Sequence, residues 1–438
     1  MNKMLYIIFI SLLIHQAAAL GYESGVSKKI TDNYGTNLSL NDCLAMARTA
    51  NPAFLAQIEN YNAYTERADK AKSNMFPNMY LSWSGTGHDE SYRDVYSSAF
   101  IVTQPIYQGN RLVNNYRIAE MDQSKSGLDV KNRFLYLEYY VKTEWYTLIR
   151  SLELKKETEN AYERLKKHVE IATHFYSEGW IWRTDVLQAE VELARGEQDL
   201  ISAENDIAIS RATLNALLQR DVDAELNPIY HALEVVPCKW TLALAIETAL
   251  KNRIDLRQAE IDFEKQKLAI EITKSGHLPD VDLKISVSRS GDSFSMDHGA
   301  SDKSIGLTAS WLIWDFGKTG HGIAAAKSDL KRKELDIMET RKNLLLDVKK
   351  AWLSVTEAEK KVSVLKKALQ QSEENFRVNR IRYSERLGTA GDVLDAQDLL
   401  TRTRKDYITG IASYLISLAA LEYQVAADYD HEAVRGYK

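Results

Sequence analysis

The residues best placed to do chemistry are carboxylates and hydroxyls at two helix starts. The stretch "TDVLQAEVEL", Thr184 to Leu193, is echoed by "GDVLDAQDLL", Gly391 to Leu400. At a helix start, a side-chain oxygen accepts bonds from the free N–H groups of the first turn. Thr184 or Asp185 reads as an N-cap with Gln188 near N3; in the echo, Asp392 caps and Asp395 stands at N3. Catalysis finds no footing: the chain has no G-x-x-x-x-G-K, G-x-S-x-G, H-E-x-x-H or C-x-x-C. The nine histidines are scattered, with His88 and His298 in polar loops where little supports a metal role. Cys43 and Cys238 make no zinc framework. They read either as a disulfide, in an oxidising compartment, or as two separate thiols. No catalytic residue, cofactor or metal is expected. A net charge of -5 gives no reason to expect nucleic acid.

The elements that carry these residues come from a duplication. The shift that lays Asp185 on Asp392 also lays Trp145 on Trp352, Val141 on Val348 and Tyr176 on Tyr383. A slightly shorter shift lays "AKSNMFPNMYLSW" on "TKSGHLPDVDLKI", so that Pro77 meets Pro279. The difference falls in a polar stretch, where a loop absorbs an insertion. The period is too long for a solenoid and implies two internal structural repeats. With 20 Gly and only 6 Pro, each proline sitting where the apolar period changes, long unbroken helices are expected.

Each half repeats one order: a helix pattern, a proline, two alternating stretches, a very long helix, a glycine-containing break and a returning helix. Val281, Leu283, Ile285 and Val287 alternate with Asp282, Lys284, Ser286 and Ser288; Ile305, Leu307, Ala309 and Trp311 repeat the pattern. Period two with one apolar and one polar face is a strand signal. Aromatic residues at the ends (Tyr80, Trp83, Tyr96, Phe100, Trp311, Trp314) and polar loops on one side fit a membrane barrel. Two soluble hairpins packed on a core are the other reading.

In the long helix, Leu345, Val348, Trp352, Val355, Val362, Leu369, Phe376 and Tyr383 keep a three-four spacing, with Glu359 the polar exception. Such a repeat makes a left-handed coiled coil. From Lys318 to Tyr383 it would run roughly 100 Å at 1.5 Å per residue. Gly179, and in the second half Gly388 and Gly391, are expected to permit the reversal into the returning helix. Lys3, the apolar Leu5–Ile14 and Ala17-Ala18-Ala19 read as a signal peptide. No later apolar run of 18 residues is evident. A sheet in lipid cannot leave its edges open, and closed barrels need about eight strands or more. Four strands per chain therefore call for several protomers around one axis.

This arrangement, with the phrases "QPIYQGNR" (104–111), "TDVLQAE" (184–190), "ALKNRIDLRQAEI" (249–261), "GHLPDVDL" (276–283) and "DVLDAQ" (392–397), resembles the TolC family of outer-membrane efflux proteins. The resemblance runs from about Leu38 to Asp428. It implies a mixed α and β membrane protein: a trimeric 12-stranded transmembrane β-barrel, four strands per protomer, continued by a long α-helical coiled-coil periplasmic tunnel. It implies a homotrimer in outer-membrane lipid of a Gram-negative-type bacterium, extending into the periplasm. Its partners would be a periplasmic adaptor (membrane fusion) protein and an inner-membrane RND or ABC transporter. Asp392 and Asp395 match an acidic ring at the tunnel constriction, where six carboxylates would attract cations; for Asp392, helix capping is the plain alternative. Thr184, Asp185 and Tyr383 match contacts that hold the gate closed. The family's gate arginine aligns with Gly388, and Arg386 stands where a glycine is usual. Trp180 and Trp182 read either as adaptor contacts or as packing inside the hairpin end.

The expected divisions are a signal peptide at 1–19, an extension at 20–37, a first repeat at 38–227, a linker at 228–239, a second repeat at 240–428 and a tail at 429–438. Strands are expected at about 78–86, 96–105, 280–289 and 304–314, with hairpin tips near 177–185 and 384–392. The function implied is a channel-tunnel exporting small molecules, proteins or both from a tripartite pump or type I secretion system. A dedicated type I protein-secretion pore and a soluble periplasmic coiled-coil scaffold or adaptor are the alternatives.

Overall fold

A computed structural model describes residues 35–87, 94–230, 233–292, 299–385 and 387–426. The signal peptide, most of the N-terminal extension, the C-terminal tail, His88, His298 and Arg386 lie outside the described residues. The chain divides into two compact units: Met1–Leu55, Tyr136–Lys239 and Leu353–Leu421 form one, and Ala56–Leu135, Trp240–Trp352 and Glu422–Lys438 the other.

In order, the elements are β1 (Asn37–Leu38), α1 (Leu40–Ala50), α2 (Pro52–Ser73), β2 (Asn78–Thr86), β3 (Val95–Gln108), α3 (Arg111–Ser177), α4 (Arg183–Leu217), β4 (Asn227–Pro228), α5 (Leu242–Asn252), α6 (Ile254–Lys274), β5 (Asp280–Gly291), β6 (Ala300–Ser310), α7 (Lys318–Ser384) and α8 (Ala390–Val425). The order helix, helix, strand, strand, long helix, shorter helix thus occurs twice. Both α3 and α7 have 67 residues, about 100 Å at 1.5 Å per residue.

The second unit holds one antiparallel sheet in the order β2-β3-β5-β6. Pairing of β3 with β5 joins the two sequence hairpins into a single sheet. Residues directly opposite one another share a face. One face carries Met79 and Leu81 on β2, Phe100 and Val102 on β3, Ile285 and Val287 on β5, and Ile305 and Leu307 on β6. The other is largely hydroxylic, with Ser84 bonded to Ser97 and Ser286 to Ser304, each at 2.7 Å. Ile305, mid-strand, is 72% exposed, and β2 and β6 are the sheet's edges.

Strand β6 starts at Ala300 rather than near 304 and β5 runs to Gly291 rather than 289, and two further bounds differ for reasons the pairing shows. Strand β3 runs on to Gln108 because a bulge between Pro105 and Tyr107 absorbs the proline, which has no N–H for the ladder. Strand β6 ends at Ser310, not near Trp314, because its partner starts at Asp280, opposite Ser310. Trp311 instead donates its indole N–H to the His277 carbonyl at 3.0 Å. The exposed apolar run Trp311, Leu312, Ile313, Trp314 follows the strand rather than extending it.

The first unit is helical, with a two-residue parallel pairing of β1 and β4. Its core includes Val141, Trp145 and Leu148 on α3, Leu214 on α4 and Tyr414 on α8, all buried. The returning helices press closely on the long ones. A Cβ on Gly196 of α4 would stand 2.9 Å from Leu165 of α3, and one on Gly410 of α8 would stand 2.7 Å from Leu365 of α7. In the expected stripe of α7, Val348, Val355, Val362 and Tyr383 are buried, and Glu359 is exposed. Within α8 there is a stretch long and apolar enough to cross a membrane by composition, which corrects the expectation that none exists. Some of its apolar residues, among them Tyr414, Leu415 and Leu421, are buried in the protein. Cys43 and Cys238 are not joined, and burial pushes the Cys43 thiol up to about 12.

Candidate functional site

Two hairpin tips in the first unit carry the residues singled out in the sequence. Helix α3 ends in a Schellman turn: Trp180 N–H bonds the Phe175 carbonyl at 2.9 Å and Gly179 N–H bonds that of Tyr176. Gly179 takes the left-handed backbone (φ 76) that this turn requires. At the second tip, Leu387 N–H closes on the Arg382 carbonyl at 2.7 Å. Gly388 and Gly391 are not in the left-handed region, and Gly391 lies inside α8, so they do not make the reversal through glycine's freedom.

The caps also shift by a turn. Trp182 is the N-cap of α4, and Asp185 sits at N3, where it accepts the Trp182 N–H at 3.2 Å. On α8, Thr389 N–H donates to Asp392 at 3.0 Å, and Asp392 N–H donates to the Thr389 hydroxyl at 3.2 Å. That is a complete capping box. The first tip has tryptophan where the second has threonine, so only half of the box forms there. Asp392 is thus at N3 and Asp395 one turn further in; both are exposed. The bonds from Thr389 hold the Asp392 carboxyl below its usual range, with the Arg382 charge adding to them.

Tyr383 is drawn inward. Only 6% exposed, it packs its ring on Phe175 (5.4 Å) and His168 (5.7 Å), and its hydroxyl has no hydrogen-bond partner among the described residues. Burial, and then the charge of Asp185, push its phenol up. The structure therefore brings Asp185 within electrostatic reach of Tyr383, whereas Thr184 stays exposed. The two tryptophans part company: Trp180 packs on Phe175 at 5.3 Å, while Trp182 is 81% exposed.

Sequence reading missed the charged knot above the tips. Glu157 of α3, 6% exposed, receives Arg164 at 2.8 Å and Arg404 of α8 at 3.3 Å. Arg404 also reaches Glu373 of α7 at 2.9 Å. These partners are far apart in sequence and only the fold assembles them. Replacing Glu157 by alanine leaves two part-buried guanidinium groups without this acceptor and is expected to cost about 3 kcal/mol. The measure is the guanidinium midpoint by circular dichroism at unchanged m; a shift equivalent to less than about 0.5 kcal/mol would contradict it.

The family model described as outer membrane efflux protein matches residues 43–219 and 245–425. The chain belongs to that family. It is 20% identical over 400 residues to the outer membrane protein TolC of Escherichia coli strain K12, a match covering 85% of this chain and 78% of TolC. With the outer membrane efflux protein BepC of Brucella suis it shares 23% identity over 188 residues, 41% of each chain. Among solved structures, the CmeC outer membrane channel of Campylobacter jejuni superposes with a TM-score of 0.80 at 15% identity, covering 91% of this chain and 89% of CmeC. The outer membrane protein VceC of Vibrio cholerae gives 0.78 at 17% identity, covering 89% and 97%. As a member of the outer membrane efflux family, the chain is an outer-membrane efflux channel with part of its length in the periplasm.

Proposed function

We propose that three copies of this chain close their sheets into one 12-stranded barrel, and that the helices continue it as a periplasmic tunnel closed at the hairpin tips. The observation that carries the reading is the sheet itself. Its apolar face is exposed and its two edges, β2 and β6, are unpaired within the chain. In lipid, an apolar outer face is favoured and an open edge is too costly, so joining β6 of one copy to β2 of the next resolves both demands. The proposed divisions are a leader at 1–19, repeats at 38–227 and 240–428 joined by 228–239, and a tail at 429–438. Cargo would come from an inner-membrane RND or ABC transporter through a periplasmic adaptor, as small molecules, proteins or both.

At the inner mouth, Asp392 and Asp395 line the constriction, and Thr184, Asp185 and Tyr383 hold it shut, with Arg386 supplying a cation. The charge of Asp185 acting on Tyr383 and the exposure of both acids on α8 support this. The deciding experiment is membrane fractionation with electrophoresis before and after boiling. A heat-sensitive trimer in the outer-membrane fraction is expected; a soluble periplasmic monomer would overturn the reading. Adaptor contact is assigned to Trp182 rather than Trp180. A photo-crosslinker at 182 should capture the adaptor and one at 180 much less; equal capture, or none at 182, contradicts the assignment.

A further inference from the structure

Lined in part by Tyr383, within the first unit, is a cavity of about 610 Å³ whose other lining residues take no part in the gate contacts. Three helices line it with stripes at helical spacing. From α3 come Arg164, His168, Ile171 and Phe175; from α7, Phe376, Arg380 and Tyr383; from α8, Val393 and Gln397. Positions three and four apart lie on one helix face, so each stripe presents its side chains together.

Three polar atoms on this wall are buried and have no partner among the described residues: Arg164 Nε, His168 Nε2 and the Tyr383 hydroxyl. His168 is 5% exposed and Tyr383 6%. Arg164 spends Nη2 on Glu157 and on Thr401 (3.2 Å), which anchors the guanidinium and leaves Nε–H over. Arginine Nε–H is a donor only, a tyrosine hydroxyl donates readily, and an imidazole nitrogen donates in the right tautomer. Buried donors without acceptors are unfavourable, and three around one cavity ask for a shared acceptor. Lys167 and Arg380 add positive charge to the lining against the one carboxylate of Glu170. Ile171, Phe175 and Phe376 make the rest of the lining apolar.

We infer that this cavity is a binding site for an apolar carboxylic acid, its carboxylate held by Arg164, His168 and Tyr383 and its aromatic or alicyclic body lying against Ile171, Phe175 and Phe376. A volume of this size is in the range of small-molecule sites. The site stands whether or not Tyr383 also closes the mouth, because it needs only the three donors and the apolar wall.

The test is isothermal titration calorimetry on the full chain in lipid nanodiscs, with 2-naphthoate as probe and the neutral isostere 2-naphthamide as its control. Saturable binding of one naphthoate per chain is expected, with naphthamide at least tenfold weaker. Tyr383→Phe and His168→Leu should each weaken naphthoate about tenfold, from loss of a hydrogen bond to a charged group. Neither variant removes a bond made within the chain, so both should fold, with unchanged helical circular dichroism. Equal affinity for the acid and the amide would overturn the site, as would naphthoate binding indifferent to both substitutions or no binding at all. The last result would mean that water or a neighbouring copy fills the cavity.

Discussion

Replacing Asp392 and Asp395 together by alanine is expected to abolish the cation preference, and the block by divalent cations, that the proposed constriction would give the channel in a planar lipid bilayer. In the proposed trimer the pair would place six carboxylates around one mouth, and in a narrow passage carboxylate rings select and trap cations. Both side chains are exposed on the first turns of α8, free to face a lumen. They differ in their second duties. Asp392 is engaged in the box with Thr389, so its loss also weakens the helix start. Asp395 takes no part in that box. The single variant Asp395→Ala should therefore reduce selectivity without altering thermal stability, which separates gate from cap. If the double variant keeps wild-type cation preference and block, the constriction lies elsewhere. The first hairpin offers an internal contrast: Gln188 stands where the second has Asp395, so Asp185→Ala should change selectivity far less.

Placing arginine at Ile305 should prevent outer-membrane assembly. Ile305 lies mid-strand on the apolar face, 72% exposed and opposite Ile285. Arginine on the lipid face of a membrane barrel costs about 2–4 kcal/mol near the bilayer midplane, and a trimer carries that cost in every copy. Its neighbour Ser304 faces the other way, where its hydroxyl bonds Ser286 at 2.7 Å. Ser304→Arg loses one exposed hydrogen bond and should assemble normally. Heat-sensitive trimer in the outer-membrane fraction is the readout for both. Normal assembly of Ile305→Arg, or equal failure of both variants, would show that this face does not meet lipid.

How much of this was legible follows from how far each feature depends on distant residues. The alternation at 281–287 and 305–309 is local, and the sheet's apolar and polar faces follow it residue by residue, while Trp311 falls past the strand's end. The spacing along α7 is also local, and Val348, Val355 and Val362 are buried as that spacing requires. The caps were misplaced because "TDVLQAE" and "DVLDAQ" contain good capping residues, while the helices start earlier. Thr389, outside the shared phrase, is the true N-cap on α8, and Trp182, a poor cap by type, takes that place on α4. The signal overlooked was the reciprocal spacing of Thr389 and Asp392.

By itself, the sequence determined what recurs along the chain: one order of elements met twice, long helices, amphipathic strands and two tips bearing acids. These depend on side-chain order along one element, which pattern alone encodes. Tertiary structure decided which hairpins share a sheet, since β3 meets β5 only after the first half's helices intervene. It decided where β6 stops, because a strand ends where its partner does. It also gathered Arg164, His168 and Tyr383 around one cavity and bound Glu157 to Arg404. Those groups belong to different helices, and no periodicity within one helix records what a second helix will bring beside it.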